Sequence, residues 1–381
     1  MEKALVITSV ASMVDQFLMP SIILLQNMGY DVQVACNFEK GCTCSEERIK
    51  TLKERLAELN VTFFQIDFAR NVIKANENYK AYKQTAKIIK DNNYRTIHCH
   101  SPIGGLITRL VARKTRKKET KVIYTAHGFH FYKGAPVLNW LLYYPVEWFC
   151  SFFTDTLITI NKEDFELAKR KFHAKKTVYV PGVGIDTEKI AKTEVDIEKK
   201  RKEIGVCEND VVVLSVGELN DNKNHEAVLR AIAKLENQNA TYAICGRGEY
   251  EEKLKELAKE LGVEDKLKLL GYRNDVAEIM KCSDIFAFPS KREGLPVSVM
   301  EAMSASLPVV CSKIRGNTDL IVDGEGGFLC IPDSVEEFKE KIEMLISDKE
   351  KRIKMGEINK ENVKKFDIEN VKQEMKEIYG I

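Results

Sequence analysis

The chain has 381 residues, 44% of them hydrophobic and 30% charged, with a formal net charge of +2. That length exceeds one ordinary core and suits two domains of ~100 to 200 residues each, and no stretch is biased enough to argue for disorder. A charge so near zero speaks against a nucleic-acid backbone as partner.

From the amino end, short β-branched runs alternate with amphipathic stretches: residues 4–8, 32–36, 61–66, 96–99, 122–125, 156–160 and 178–180. This βαβ rhythm predicts a parallel sheet wrapped by helices. The apolar run 4–7 is too short for a secretory leader, and none of the ten cysteines forms a C-x-x-C pair; both point to a reducing, cytoplasmic compartment. Cys42-x-Cys44, with Cys36 nearby, is either a metal site or free loop thiols. Residues 109–121 (RLVARKTRKKETK) are locally basic, either a solvated helix end or a patch facing anionic lipid. The apolar stretch 137–153 carries Pro145 and Glu147 and falls short of a comfortable membrane span.

The rhythm begins afresh beyond Pro181-Gly-Val-Gly-Ile-Asp186, with strands at 211–216, 241–245, 268–270, 285–288 and 309–311, each followed by a helical pattern. After Ser334 the sequence is helical and charged, with a bend at Phe366-Asp367 before a last helix. The boundary falls near Asp186, giving domains of 1–186 and 187–366, with helix 367–381 returning to the first.

In open parallel sheets ligands bind beyond the carboxyl ends of the strands. There, strand 285–288 leads through loop 289–296 into a helix from Val297. The N–H groups of Gly294, Leu295 and Val297, beside Pro296, suit a phosphate. Glu301, about one turn in, can accept two hydrogen bonds from a vicinal diol such as a ribose. Carboxylates repel phosphate but not hydroxyls, so Glu293 and Glu301 at this junction point to a ligand carrying both sugar and phosphate. The alternative is a helix start decorated with acid for its dipole.

The spacing Glu293-x7-Glu301 within E-G-L-P-x-S-x-x-E-A-M, followed by L-P-V-V-x-S and Gly316-Asn-x-Asp-Leu-Ile, resembles the retaining nucleotide-sugar glycosyltransferases of the GT-B fold, family four. The resemblance implies an α/β chain of two Rossmann-like domains facing each other across a cleft, the first holding the acceptor and the second the donor. It implies that Glu293 lies near the transferred sugar, that Glu301 binds the ribose, and that Lys223 grips the diphosphate in the loop holding Gly217 and Glu218. Glu218 stands where the family commonly has arginine, a departure that matters because a departing diphosphate needs positive charge; Arg292 and Arg315 are the substitutes to weigh. Backbone groups near Tyr272 and Arg273 would meet the base.

In the first half, His127 ends a strand, where a structural role is the ordinary reading; the resemblance instead gives it contact with the sugar. His98 and His100 share one strand face by alternation, and His100 reads as a cleft-lining or hydrogen-bonded structural residue. Gly246-Arg-Gly248 reads as a plain turn. The H-G-F-H-F-Y-K-G-A-P run is similar to enzymes of bacterial exopolysaccharide and capsule assembly, which act on polyprenyl-diphosphate-linked acceptors at the cytoplasmic membrane face. Trp140, Tyr143, Tyr144 and Trp148 are then either core or headgroup contacts. The expected partners are a UDP-sugar and a glycan or lipid-linked acceptor, with peripheral membrane contact.

The implied reaction is transfer of a hexosyl or N-acetylhexosaminyl unit with retention. No D-x-D pair occurs, so neither metal nor cofactor is expected. A nicotinamide oxidoreductase would need glycines after the first strand, where Thr8-Ser-Val-Ala-Ser-Met13 has none. A sugar-nucleotide epimerase of the same plan, and a silent donor-binding partner protein, are the remaining alternatives.

Overall fold

A computed structural model describes residues 1–40, 45–69, 74–116, 119–236 and 239–380. It divides into two compact units. The first runs from Met1 to Val183 and takes back the chain from Glu369 onward; the second is Gly184–Ile368.

In the first unit, strands β1 (Lys3–Val10), β2 (Asp31–Asn37), β3 (Thr62–Gln65), β4 (Thr96–His100), β5 (Lys121–Ala126), β6 (Thr156–Thr159) and β7 (Lys176–Tyr179) form one sheet in the order β3-β2-β1-β4-β5-β6-β7. Every pairing is parallel; Leu5, for example, lies between Gln33 and Ile97. Both faces are covered. Ala4 and Val6 enter one core cluster and Leu5 and Ile7 the other, which is why the strands read as continuous apolar runs rather than alternating ones. Helix Ile368–Gly380 lays Val371, Met375, Ile378 and Tyr379 into the same cluster as Ala4 and Val6, a spacing of one helical face.

The change of unit falls three residues before the expected Asp186. Ile185 bridges to Asp367, its N–H donating to the Phe366 carbonyl (3.2 Å) while the Ile368 N–H donates to the Ile185 carbonyl (2.9 Å). Thr187 Oγ1 donates to Asp367 Oδ2 at 2.5 Å. Gly184, at φ +74°, lies so close that a Cβ there would sit 2.7 Å from the Ile368 Cα. The outgoing and returning chain segments are therefore tied together inside the second unit.

That unit holds β8 (Val211–Val216), β9 (Ala240–Cys245), β10 (Leu267–Gly271), β11 (Ile285–Phe288), β12 (Val309–Ser312) and β13 (Gly327–Cys330), ordered β10-β9-β8-β11-β12-β13 and again parallel. The sequence did not announce β13. It is short and opens on glycine, which its place requires: a Cβ on Gly327 would fall 1.9 Å from the Val309 carbonyl oxygen.

Arg109, the first residue of the run read as a solvated basic end, is buried instead. Its side chain is 1% exposed, with Nη2 2.8 Å from Glu147 Oε2, Nε donating to the Gly105 carbonyl at 2.9 Å, and its guanidinium 3.9 Å from the Tyr124 ring centroid. Tyr124 Oη donates to the other Glu147 oxygen at 3.1 Å. Glu147, placed mid-way in an apolar stretch, thus serves as the counter-ion that lets helix Pro102–Ala112 and helix Val137–Ser151 pack.

Among the described residues no helix is long and apolar enough to cross a membrane.

Candidate active site

The order of the second sheet reverses between β8 and β11, so the loops leaving these two strands flank its switch point. Asparagines join them. Asn220 Oδ1 accepts the Lys223 N–H (3.0 Å). Asn224, in the left-handed region at φ 53°, donates from Nδ2 to the carbonyls of Pro289 (3.2 Å) and Pro332 (2.8 Å). Asn222 donates to the Arg292 carbonyl (3.1 Å) and accepts the Lys291 N–H (2.8 Å). Held this way, Lys223 Nζ reaches Glu293 Oε1 at 2.7 Å, with both side chains mostly buried, and stands 4.8 Å from the Phe288 ring centroid.

Gly217 lies beneath the lysine: a Cβ there would meet the Lys223 stem at 3.3 Å. The Gly246-Arg-Gly248 turn proves to be a packing device. Cβ atoms on Gly246 and Gly248 would strike the carbonyl oxygens of Gly217 (1.8 Å) and Leu219 (2.2 Å), and Leu219 N–H donates to the Arg247 carbonyl at 3.0 Å.

Beyond the pair, helix Val297–Ser304 begins after Gly294, Leu295 and Pro296. Glu301 sits largely enclosed in it, and burial pushes its carboxyl up to about 7. Gly316, at φ +80°, rests on Gly294; a Cβ would come within 2.4 Å of the Gly294 oxygen. Next to it Arg315 is 7% exposed and donates from Nε to the Glu293 carbonyl (3.1 Å). Arg292, the other substitute, is exposed, as is Glu218. The structure thus gathers Lys223, Glu293, Gly294 and Arg315 into one frame, with Gly217 under the lysine.

Tyr272 and Arg273 follow β10, whose last residue accepts from the Gly246 turn, the Gly246 N–H donating to the Gly271 carbonyl at 2.8 Å. Tyr272 is 54% exposed. Arg273 is engaged by Asp275 (Nε–Oδ1 2.8 Å, Nη2–Oδ2 2.5 Å) and by Glu203, in a network that also holds Lys200.

In the first unit, His127 follows β5 and His100 ends β4; His100 Nδ1 and His127 Nε2 are 3.1 Å apart. His98 Nδ1 meets Tyr379 Oη of the returning helix at 2.7 Å, and its Nε2 meets Thr125 Oγ1 at 2.8 Å. The rings of His98 and His100 lie 4.0 Å apart, on one face as alternation predicts. Burial lowers all three, His98 to about 3 and His127 to about 4, so each is a neutral imidazole at pH 7. They border a cavity of about 30 Å³ together with Ser21, Val183 and Met375.

Cys42 and Cys44, weighed as metal ligands, lie outside the described residues; Cys36 is buried in the first core. Among the described residues no three His, Cys, Asp or Glu side chains group as a metal site.

Two protein-family models match this chain: glycosyl transferases group 1 over residues 196–362, and glycosyl transferase 4-like over residues 9–161. The putative glycosyltransferase EpsD of Bacillus subtilis (strain 168) is 34% identical, over 96% of this chain and 92% of that protein. The UDP-Gal:alpha-D-GlcNAc-diphosphoundecaprenol alpha-1,3-galactosyltransferase of Escherichia coli is 29% identical, over 93% and 90%. Among solved structures, HepE of Anabaena in complex with UDP and glucose superimposes with a TM-score of 0.79 at 20% identity, covering 100% of both chains.

Proposed function

The chain belongs to the group 1, GT4-type glycosyltransferases of GT-B fold, and from that premise we propose that it moves a hexosyl or N-acetylhexosaminyl unit from a UDP-sugar to a hydroxyl of a polyprenyl-diphosphate-linked acceptor in surface polysaccharide assembly, with retention. The observation that carries this reading is the Lys223–Glu293 pair beside the Gly294–Val297 helix start. A cation and free N–H groups suit a diphosphate, while carboxylates suit hydroxyls. UDP and UDP-glucose are the ligands of the HepE structures, and a diphosphoundecaprenol-linked acceptor stands in the name of the Escherichia coli relative.

In this mechanism the bond from the sugar C1 to the UDP oxygen breaks while the acceptor oxygen bonds to C1 on the same face. The acceptor proton passes to the departing phosphate oxygen, so no protein nucleophile is needed. Lys223 stabilises the charge that gathers on the diphosphate, and Glu293 orients the sugar. Arg315 is our choice for the cation that Glu218 does not supply, since its buried side chain is anchored to the Glu293 backbone. Gly217, Leu295 and Pro296 shape the walls, and the backbone near Tyr272 and Arg273 faces the base. His127, neutral, acts toward the sugar as a hydrogen-bonding group rather than a cation.

Incubating the protein with UDP-sugars and a polyprenyl-diphosphate sugar should release UDP and give a product whose anomeric proton keeps the donor configuration by NMR. An epimerised sugar formed without acceptor, or melting shifts with no product, would replace this reading with the epimerase or the silent partner.

Glu301 supplies a pH signature. With its carboxyl at about 7, it is mostly protonated at pH 6 and mostly ionised at pH 8, and only the carboxylate accepts from both diol hydroxyls. UDP-sugar affinity by calorimetry should therefore rise about tenfold over that interval and stay level in Glu301→Gln. The stability term runs the other way. A carboxyl raised above its unfolded value favours the fold at low pH, and that contribution is lost as pH rises through about 7, so Glu301→Gln should gain on wild type in alkaline melts. Parallel pH profiles for the two proteins would remove Glu301 from the site.

A further inference from the structure

His127 ends a chain of side chains that begins at the returning helix of the first unit. There Tyr379 Oη meets His98 Nδ1 at 2.7 Å, and Thr125 Oγ1 holds the other nitrogen of that ring at 2.8 Å. Pinned at both nitrogens, His98 is a fixed base for His100, whose ring lies 4.0 Å from it, centroid to centroid. His100 in turn presents Nδ1 to His127 Nε2 at 3.1 Å. Since His98 and His100 are 1% and 2% exposed, neither ring can exchange these contacts for bulk water.

Burial keeps His100 and His127 neutral at pH 7, and a neutral imidazole carries one proton on one of its two nitrogens. The bond between them therefore has two versions. In the first, His100 Nδ1–H donates to His127 Nε2, and His127 bears its own proton on Nδ1. In the second, His127 Nε2–H donates to His100 Nδ1, and His100 bears its proton on Nε2. The His100 Nε2 decides between them, because it is buried and meets no hydrogen-bonding group among the described residues. A bare lone pair there is tolerable, whereas a buried N–H without an acceptor is the rarer and costlier defect. We propose that His100 is a positioning residue that holds His127 in the tautomer protonated at Nδ1, so that His127 offers its ligand a hydrogen-bond donor and no acceptor. The ligand atom suited to it is an oxygen that accepts. Tyr379 and Thr125 serve the same end through His98, by fixing the ring on which His100 rests. The consequence for catalysis rests on the reading that His127 meets the transferred sugar; the tautomer itself does not.

The test is nitrogen-15 NMR of the full chain labelled at its six histidines, with neither donor nor acceptor present. The coupling across the hydrogen bond should join a protonated Nδ1 to a bare Nε2, in the wild type and without any variant. A protonated Nε2 coupled to a bare Nδ1, or no coupling between two imidazoles, overturns the assignment. Kinetics supply a second arm. His100→Leu removes the donor and should lower kcat/KM by about tenfold. His100→Asn, whose amide N–H stands near the place of Nδ1–H, should stay within about threefold of wild type and keep the His127 signals of the Nδ1–H form. Equal losses in the two variants would make His100 a plain core residue and sink the inference. Because the spectrum is read without substrates, failure of this assignment and failure of the transfer reading are distinguishable.

Discussion

Replacing Lys223 by alanine is expected to lower kcat by a factor on the order of 10²–10³, the loss of about 2.7–4 kcal/mol typical of removing one group aimed at developing charge. This ammonium is matched by Glu293 at 2.7 Å and stands 4.8 Å from the Phe288 ring centroid, with its stem lying over Gly217, so the fold itself fixes its position. As the sugar–phosphate bond breaks, negative charge grows on the departing diphosphate, and a cation already in place needs no reorganisation to meet it. The effect should fall on kcat more than on KM, because the interaction strengthens only as the bond breaks. Glu293→Ala removes the partner and should lower turnover by about tenfold or more. A Lys223→Ala protein that stays folded and retains kcat to within about threefold would mean that the pair is a structural clasp, and the proposed site would lose its cation.

Glu147→Ala is expected to destabilise the first unit by about 3–5 kcal/mol, the cost of leaving a buried charge without its partner. Arg109 has little recourse: it is 1% exposed, with the Gly105 carbonyl and the Tyr124 ring as its other contacts. The double replacement Arg109→Met with Glu147→Leu should recover most of the loss, since an apolar pair of similar volume avoids the desolvation cost. Urea unfolding followed by circular dichroism reads both, with the transition of the first unit resolved from that of the second. A single variant no less stable than the double one would show that the ion pair contributes little.

Much of this architecture was legible because burial on both sheet faces writes itself as unbroken runs, as at residues 4–8 and 211–216. What escaped depends on tertiary approach. β13 hides because Gly327 is chosen by its closeness to Val309 rather than for strand propensity, and the unit boundary moved because Ile185 pairs with Asp367, far away in sequence. The Glu293-x7-Glu301 spacing pointed to Glu293 and the family resemblance to Lys223, but their meeting depends on Asn222 and Asn224, whose signal is two common residues in a loop. Nothing in an apolar stretch says that Glu147 has an arginine waiting, and without that knowledge Arg109 is indistinguishable from its solvated neighbours.

The returning helix has a consequence for how the chain is made. Ribosomes release residues 1–183 first, yet Val371, Met375, Ile378 and Tyr379, which close one face of that unit's core, emerge only after the whole second unit. At roughly 5–20 residues per second, the nascent amino-terminal half waits on the order of 10–40 s with an unroofed greasy groove. During that interval the groove is a defined surface for a chaperone to shield, and premature termination anywhere before residue 371 is expected to yield a product prone to aggregate.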